Sequence, residues 1–349
     1  MTLRLRTAFY ILLVVVFAWF LYIDRAILTP FVLAAIFAYI FNPVVNFFSH
    51  KIKLPRTISV LIIYLVLMAA VVLLGVLISR RIFEESVELK GYVTMLVKTT
   101  KAQINTLPDY IKPFAQEGLV VLEKSRIFTP SSIFSLFPQA ISRIISFFIF
   151  LFAGFYFLKE GGTIMDKFLN MIPNKNKVDV EIVLRKMNKV FGGYLRGQLF
   201  LVVLVSLFLY GVLSILGVKF ALVLAIFSGF AEIVPIIGPI TAGAVACLVV
   251  LLTGVSNFPI APIQVAAIVA AIYFVARQFE DYFIIPQVMG KITELHPLII
   301  LFAVISGGHL LGVIGLILAV PIAGAIKILL DFSLDKINVS DHKKVLGRE

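Results

Sequence analysis

Long apolar runs, several of them approaching about 20 residues, constrain the fold of this chain more than any other feature. The first run, at 7–23, reads TAFYILLVVVFAWFLYI. A helix of about 20 apolar residues crosses the roughly 30 Å of hydrocarbon in a bilayer and satisfies its own backbone hydrogen bonds there. Of the 349 residues, 61% are hydrophobic and only 14% are charged, and the mean hydropathy is +1.06. The sequence therefore predicts an all-α polytopic membrane protein.

About six runs are predicted to cross the membrane as full helices: 7–23, 27–48, 57–79, 141–158, 198–217 and 262–276. They place a three-span region at 1–79, a core at 141–330 and a tail at 331–349. Residues 80–140 carry charges of both signs, with apolar residues at helical three-, four- and seven-residue steps. This pattern predicts a helical extramembrane arm, which serves packing and assembly or handles substrate. The Lys- and Arg-rich segment 159–196 is predicted to be an interfacial helix.

Two further apolar stretches, 220–254 and 297–328, are interrupted by Gly, Pro and polar residues. The interruptions read FAEIVPIIGPI at 230–240 and SGGHLLGVIG at 306–315. Each half is about 15–22 Å long as a helix at about 1.5 Å per residue, which is too short to cross comfortably. The stretches are therefore predicted to be re-entrant helical hairpins. The alternatives are two fully spanning helices in each stretch, or about eight spans in all.

Positive charges beside the spans predict the topology, because Lys and Arg favour cytoplasmic loops. Arg4 and Arg6, the basic loop near residue 53 and the basic tail place both termini in the cytoplasm, with the arm outside. The two hairpins then enter the membrane from opposite sides. Their breaks also resemble each other, since EIVPIIG at 232–238 parallels HLLGVIG at 309–315. Paired interrupted segments of this kind are typical of a transporter binding site.

Ionisable side chains in these breaks indicate a solute or ion pathway. Glu232 costs about 2.5–3.5 kcal/mol at mid-membrane, so it either contacts a solute, ion or proton, or accepts backbone N–H groups freed by Pro235 and Gly238. His309 either caps the second break or couples protons, and the neighbouring glycines permit close backbone approach. The predicted pathway residues are Glu232, Pro235, Gly238, Pro239, His309, Gly307, Gly308, Gly312 and Gly315.

A polar group follows the span at 262–276 and consists of Arg277, Gln278, Glu280 and Asp281. These residues are either a solvated helix end with local ion pairs or a cytoplasmic gating or coupling site. The sequence contains no GxxxxGK[ST], HExxH or GxSxG motif, so neither ATP use nor an enzyme is predicted. With four scattered histidines and one cysteine, Cys247, no metal site or cofactor is predicted. The net charge of +12 lies largely beside the spans, which indicates membrane orientation and no nucleic-acid partner.

Several motifs, taken in order, resemble the autoinducer-2 exporter family, also called the PerM-type permeases. They are FYFLKEG (155–161), GGYLRGQ (192–198), EIVPIIGP (232–239), RQFEDYFIIPQVMG (277–290) and LHPLIILFAVISGGHLLGVIGLILAVP (295–321). The resemblance implies a homopentamer in the bacterial inner membrane. It also implies export of a small polar signalling molecule in some members and sodium or lithium/proton exchange in others. Ile236 departs from the family pattern, because many members have Tyr there, so the same solute preference does not carry over.

Together, the residues and the resemblance predict a secondary-active transporter that exports a small polar solute resembling autoinducer-2. The first alternative is a sodium or lithium/proton antiporter. The second is a membrane assembly protein that transports nothing and acts through the extramembrane arm. The expected partners are membrane lipid, a small polar solute or a monovalent cation with a proton, and further copies of the chain.

Overall fold

The computed structural model describes residues 25–73, 75, 76, 91, 98, 112, 137–255, 257, 258, 260–288 and 295–346. Within those residues, six helical segments are long and apolar enough to cross a membrane by length and composition alone, and the last of them is broken at Gly312. They are Ile27–Lys51, Arg56–Leu73, Ile144–Asn170, Lys177–Leu216, Pro262–Val288 and Pro297–Lys336. The all-α polytopic prediction is confirmed. The predicted span at 7–23 and most of the predicted arm at 80–140 lie outside the described residues.

The helices of the described residues are labelled α1 to α9. In chain order they are α1 (Arg25–Asn46) with a π-helical turn (Phe47–Lys51), α2 (Arg56–Leu73), α3 (Phe137–Asn170), α4 (Asn174–Leu216), α5 (Ala221–Ala231), α6 (Ile237–Thr253), α7 (Pro262–Phe279) with a π-helical turn (Glu280–Ile284), α8 (Ile285–Val288) and α9 (Pro297–Leu346).

The prediction of a separate interfacial helix over 159–196 is wrong in its bounds. Helix α3 continues past residue 158 to Asn170, and α4 then runs without a break for 43 residues. No proline interrupts α4. Its buried residues also recur at three- and four-residue steps, through Leu195, Gln198, Leu201, Val205 and Leu209. Because the amphipathic segment and the following apolar run share this periodicity, they form a single helix.

The chain divides into two compact units, of which the first contains residues 1–64, 142–199 and 282–349. In this unit the Arg56 guanidinium joins α1 to α3. It donates to Asn42 Oδ1 at 2.8 Å, to Asn46 Oδ1 at 3.0 Å and to the carbonyl of Leu158 at 2.8 Å. These hydrogen bonds fix the start of α2 against its two neighbours.

A second arginine in the first unit supplies a backbone hydrogen bond that α1 lacks. Pro43 has no N–H, so the carbonyl of Tyr39, one turn earlier, lacks its helical donor. Arg196 Nη1 donates to that carbonyl at 3.2 Å. The Arg196 side chain packs on Gly192, where a β-carbon would lie 2.9 Å from Nη1. A side chain of α4 thus replaces the bond that proline removes from α1.

The second interrupted stretch also lies in the first unit, and the chain folds back there. Gly312 breaks α9 with φ 59° and ψ −137°, a conformation open to glycine. A β-carbon on Gly307 would lie 2.6 Å from the carbonyl oxygen of Gly315 and 3.3 Å from Ala319 Cβ. In a straight helix, residues eight positions apart are separated by about 12 Å. The two parts of α9 therefore form a helical hairpin.

The second unit contains residues 65–141 and 200–281, and its centre is the first interrupted stretch. Helices α5 and α6 pack together as a hairpin, and α7 packs on α6. Val218 and Val255 form an isolated antiparallel β-bridge, so the chain enters and leaves the hairpin at the same place. At about 1.5 Å per residue, α5 and α6 are about 16 and 25 Å long, both less than a bilayer core. These lengths suit re-entry, which stays a prediction.

Candidate functional site

Most backbone N–H groups in the turn between α5 and α6 have local acceptors. The N–H groups of Ile233, Val234, Ile237 and Gly238 each donate to a carbonyl two to four residues earlier, at 2.8–3.1 Å. Glu232 N donates to the carbonyls of Ser228 and Gly229 at 3.2 Å. These donors therefore have backbone acceptors within the turn. The choice between a capping and a transport role for Glu232 stays a prediction.

Ile236 occupies a strained position in the same turn. Its φ of 71° and ψ of −57°, together with the bond from Ile237 N to the Pro235 carbonyl at 2.8 Å, define a γ-turn of the rare type with positive central φ. A β-branched residue is an outlier in such a conformation. Two residues later, a β-carbon on Gly238 would overlap the carbonyl of Ala231. The tight reversal that positions Glu232 thus combines local strain with close backbone contact.

Arg277, near the end of α7, connects three carboxylates. It binds Asp281 through two nitrogens, with Nη2–Oδ1 at 2.8 Å and Nε–Oδ2 at 3.0 Å. Its Nη1 lies 3.4 Å from Glu232 Oε2 and 3.6 Å from Glu280 Oε2. The side chains of Glu232 and Glu280 are only 6% and 8% exposed, whereas that of Asp281 is 40% exposed. The strongest pairing therefore goes to the exposed carboxylate.

The two buried carboxylates, Glu232 and Glu280, both lie beside the same guanidinium nitrogen, Nη1 of Arg277. Glu280 Oε2 accepts no hydrogen bond within the described part of the chain. Buried charges are costly unless they are paired and hydrogen-bonded. With Arg277 engaged by Asp281, one positive charge faces three carboxylates. A proton or a bound cation would relieve this excess of negative charge.

A cavity of about 20 Å³ lies beside these groups, with room for about one water molecule or one cation without its hydration shell. Its polar lining consists of Ser228, Glu232, Tyr273, Arg277 and Glu280. The apolar part of its lining consists of Val205, Leu209, Pro239, Ala242 and Ala276. The π-helical turn begins at Glu280, and turns of this kind are frequent at functional sites.

The structure brings together some of the predicted residues. Glu232, Arg277, Glu280 and Pro239 line the cavity, and Asp281 binds Arg277 beside it. Pro235 and Gly238 form the turn, while Gln278 is half-buried and lies outside the lining. The residues of the second break, Gly307, Gly308, His309, Gly312 and Gly315, belong to the first unit, and the His309 side chain is exposed. A pathway between the two hairpins stays a prediction.

Sequence reasoning missed two cavity residues, Ser228 and Tyr273. Ser228 precedes Glu232 by four positions, and Tyr273 precedes Arg277 by four. Residues four apart share one face of a helix, so a search of the faces carrying Glu232 and Arg277 could have found both hydroxyls. The pairing of Arg277 with Glu232 was also missed, since it joins residues 45 positions apart.

Two larger grooves lie between α1 and α3 in the first unit. Their volumes are about 510 and 490 Å³, and their linings are almost wholly apolar, with Phe31, Phe148 and Phe152 in one and Phe37 and Phe147 in the other. Such linings offer a polar solute little to bind. They suit contact with lipid tails, so their size does not make them better candidate sites than the small polar cavity.

Comparison with known proteins places the chain in a family. The sequence model of a family described as AI-2E family transporter matches residues 9–335. The chain belongs to the AI-2E transporter family. This AI-2E transporter is 26% identical to YueF of Bacillus subtilis over 89% of its own length and 85% of that protein. The predicted family resemblance is confirmed, and the protein is a multi-pass membrane transporter.

Two further relatives have specific names. This transporter is 25% identical to the sodium-lithium/proton antiporter of Halobacillus andaensis, over 83% of this chain and 85% of that protein. It is 24% identical to the AI-2 transport protein TqsA of Escherichia coli, over 87% of this chain and 86% of that protein. Because the identity to these two proteins is similar, sequence similarity does not distinguish their cargoes, and the chemistry of the site must do so.

Proposed function

We propose that this AI-2E transporter exchanges a monovalent cation for a proton at Glu232 and Glu280. The observation that carries the proposal is a pair of buried carboxylates that share one nitrogen of Arg277 beside a cavity of about 20 Å³. Ionisable residues buried in a membrane typically mark ion pathways and proton relays. The similarity to a sodium-lithium/proton antiporter supports the same assignment.

The charge balance of the site explains why the two cargoes exchange. A proton or a cation can each offset the negative charge that Glu232 and Glu280 carry beside Arg277, and a cavity of this size holds only one small ion. The two cargoes therefore compete for the same negative charge. Release of the proton on binding of the cation, and the reverse on the other side of the membrane, constitutes antiport.

Proteoliposomes with a trapped pH-sensitive dye test the proposal. External Na⁺ or Li⁺ should raise the internal pH as protons leave in exchange, whereas choline at the same ionic strength should not. Glu280→Gln fixes a neutral side chain at the site and should reduce the response to that of empty vesicles. Glu160→Gln is the matched control, because Glu160 pairs with Lys159 at an exposed position. Wild-type vesicles without a cation response would contradict exchange, as would a Glu280→Gln variant of full activity.

Export of a small polar solute is the second candidate, favoured by the similarity to TqsA. An organic solute needs more space than about 20 Å³, so this function requires a state in which the cavity widens. Proteoliposomes loaded with AI-2 should lose it faster than empty-membrane controls if export is right. Equal loss from both would exclude AI-2 as cargo.

We also propose the bacterial inner membrane as the location, with both termini cytoplasmic, and a homopentamer as the assembly. The distribution of Lys and Arg supports the orientation, and the family resemblance supports the rest. Protease accessibility of terminal tags in intact cells tests the orientation. Native mass spectrometry of the detergent-solubilised protein tests the assembly, since a dominant species of any mass other than five chains would contradict it.

A further inference from the structure

A buried pair of hydroxyl groups faces the same cavity as the carboxylates. Ser228 lies one turn before Glu232 and is 1% exposed. Its Oγ donates to the Leu224 carbonyl at 2.7 Å and lies 2.8 Å from Tyr273 Oη. A serine hydroxyl has a single proton. Because Ser228 directs that proton to Leu224, Tyr273 is the donor in the contact between the two hydroxyls.

This direction of donation determines which ligand the hydroxyls can bind. Each of the two oxygens has donated its only proton within the protein, so only lone pairs remain for the cavity. Glu232 and Glu280 also line the cavity, and ionised carboxylates only accept hydrogen bonds. The donor in the lining, Arg277, is held by Asp281 through two nitrogens. Such a set of acceptors suits a cation and repels an anion.

Helix packing holds both hydroxyls in place. A β-carbon on Gly243 of α6 would lie 3.3 Å from Tyr273 Cδ1, so the ring fits closely against that glycine. On the other side of α5, a β-carbon on Gly229 would overlap Ser206 Oγ and lie 2.5 Å from the Val202 carbonyl oxygen. Helix α5, and with it Ser228, is therefore seated directly on α4. Coordinating side chains that are already held in place lose little conformational entropy when the ion binds.

We propose that Ser228 and Tyr273 supply neutral oxygen ligands to a dehydrated Na⁺ or Li⁺ bound with Glu232 and Glu280. The inference rests on the proposed function and adds the residues that replace the water of the cation. Within the described residues, no three His, Cys, Asp or Glu side chains converge as a metal-ion site, and the neutral oxygens of Ser228 and Tyr273 lie in the same lining as the two carboxylates. A cavity of about 20 Å³ leaves no room for a hydration shell.

Thermal unfolding of the purified full-length protein in detergent measures cation binding without requiring flux. NaCl or LiCl replaces choline chloride at constant ionic strength. Ser228→Ala and Tyr273→Phe each remove one hydroxyl, while Ser333→Ala and Tyr210→Phe remove the same groups outside the cavity lining. Wild type and both controls should gain stability at the same cation concentration. The two cavity variants should need about tenfold more cation, the effect of about one lost polar contact.

The same variants in proteoliposomes separate this inference from the exchange function. The cation concentration for half-maximal exchange should rise by about the same factor, with the maximal rate unchanged. Cavity variants that respond at wild-type concentrations in both assays would overturn the ligand role and leave exchange intact. A wild-type protein that gains no stability from Na⁺ or Li⁺ would overturn the ligand role as well. Cation stabilisation that depends on both hydroxyls, without flux, would sustain the site and reject exchange.

Discussion

The two interrupted hairpins reverse the chain in similar ways but present different chemistry. Each closes on a glycine: a β-carbon on Gly238 would overlap the Ala231 carbonyl, and one on Gly315 would overlap the Gly307 carbonyl. The first turn holds the buried Glu232. The second breaks at a single non-helical residue, Gly312, and exposes apolar side chains, namely Leu310, Leu311 and Val313. Similar sequence patterns thus encode the same fold-back without the same site.

The difference arises from the helix that packs beside each hairpin. Helix α7 supplies Tyr273, Arg277 and Glu280 to the cavity at the first turn, so the site depends on residues far from the turn in sequence. In the first unit, α9 lies against α4, where a β-carbon on Gly324 would lie 3.1 Å from Val190 Cγ1. Backbone reversal in a membrane protein therefore needs glycine, whereas ion chemistry needs a neighbouring helix with polar residues.

The largest expected effect separates the two hairpins by activity. Glu232→Gln should reduce cation-driven proton release to the level of empty vesicles, because the site loses one of its two buried charges. His309→Gln should retain most of the wild-type rate, since that side chain is exposed. Both rates are measured with the trapped pH dye. The comparison fails if His309→Gln abolishes exchange while Glu232→Gln retains it.

Removal of the Arg277 guanidinium, which the two buried glutamates share, should strongly lower the free energy of unfolding. Arg277→Leu removes the guanidinium that the buried Glu232 and Glu280 share, and should lower the free energy of unfolding by about 3–5 kcal/mol. A second substitution in the same protein, Glu280→Leu, should restore part of the free energy of unfolding. His309→Leu is the control in the other hairpin and should change it by less than about 0.5 kcal/mol. Reversible unfolding in detergent provides the measurement, and a stable single Arg277→Leu protein would show that the carboxylates have another counter-charge.

The glycine contacts should be similarly important in both hairpins. Gly238→Ala and Gly315→Ala should each lower the free energy of unfolding by about 1–3 kcal/mol, because the added methyl group would overlap backbone atoms that cannot move aside. Gly211→Ala is the control, since nothing lies within 4 Å of its β-carbon position, and it should stabilise α4 by up to about 1 kcal/mol. The same unfolding assay applies. A neutral Gly315→Ala would mean that the second hairpin is more open than the first.

The smallest effects concern backbone strain at the two turns. Gly312→Ala should cost about 1–2 kcal/mol, because alanine tolerates the φ of 59° poorly. Ile236→Gly should raise the free energy of unfolding by up to about 2 kcal/mol, since it relieves about 1–3 kcal/mol of strain and adds chain entropy that costs about 1 kcal/mol. The change in the free energy of unfolding should therefore have opposite signs for the two variants. Destabilisation by both would show that Ile236 is held without strain.

The sequence alone predicts the membrane class, the two breaks and the ionisable residues Glu232, Arg277, Glu280 and Asp281. Each of these signals is local, since a charge or a glycine in an apolar run stands out against its neighbours. The contact between Arg277 and Glu232 could not be predicted, because tertiary packing brings the two together. Ser228 and Tyr273 did not stand out in the sequence, because a single hydroxyl group in an apolar helix costs little free energy. The extent of α4 was missed because amphipathic and apolar segments share one period.

The bond from Arg196 to the Tyr39 carbonyl has a consequence for how the sequence can evolve. Arg196 is needed at that carbonyl only while Pro43 withholds the N–H that would otherwise serve it. The two positions are therefore epistatic: Arg196→Met should be harmful beside Pro43 and nearly harmless beside Pro43→Ala. A lineage can lose the proline first and the arginine later, whereas the reverse order passes through a weakened intermediate. A double-mutant cycle of unfolding free energies measures this dependence.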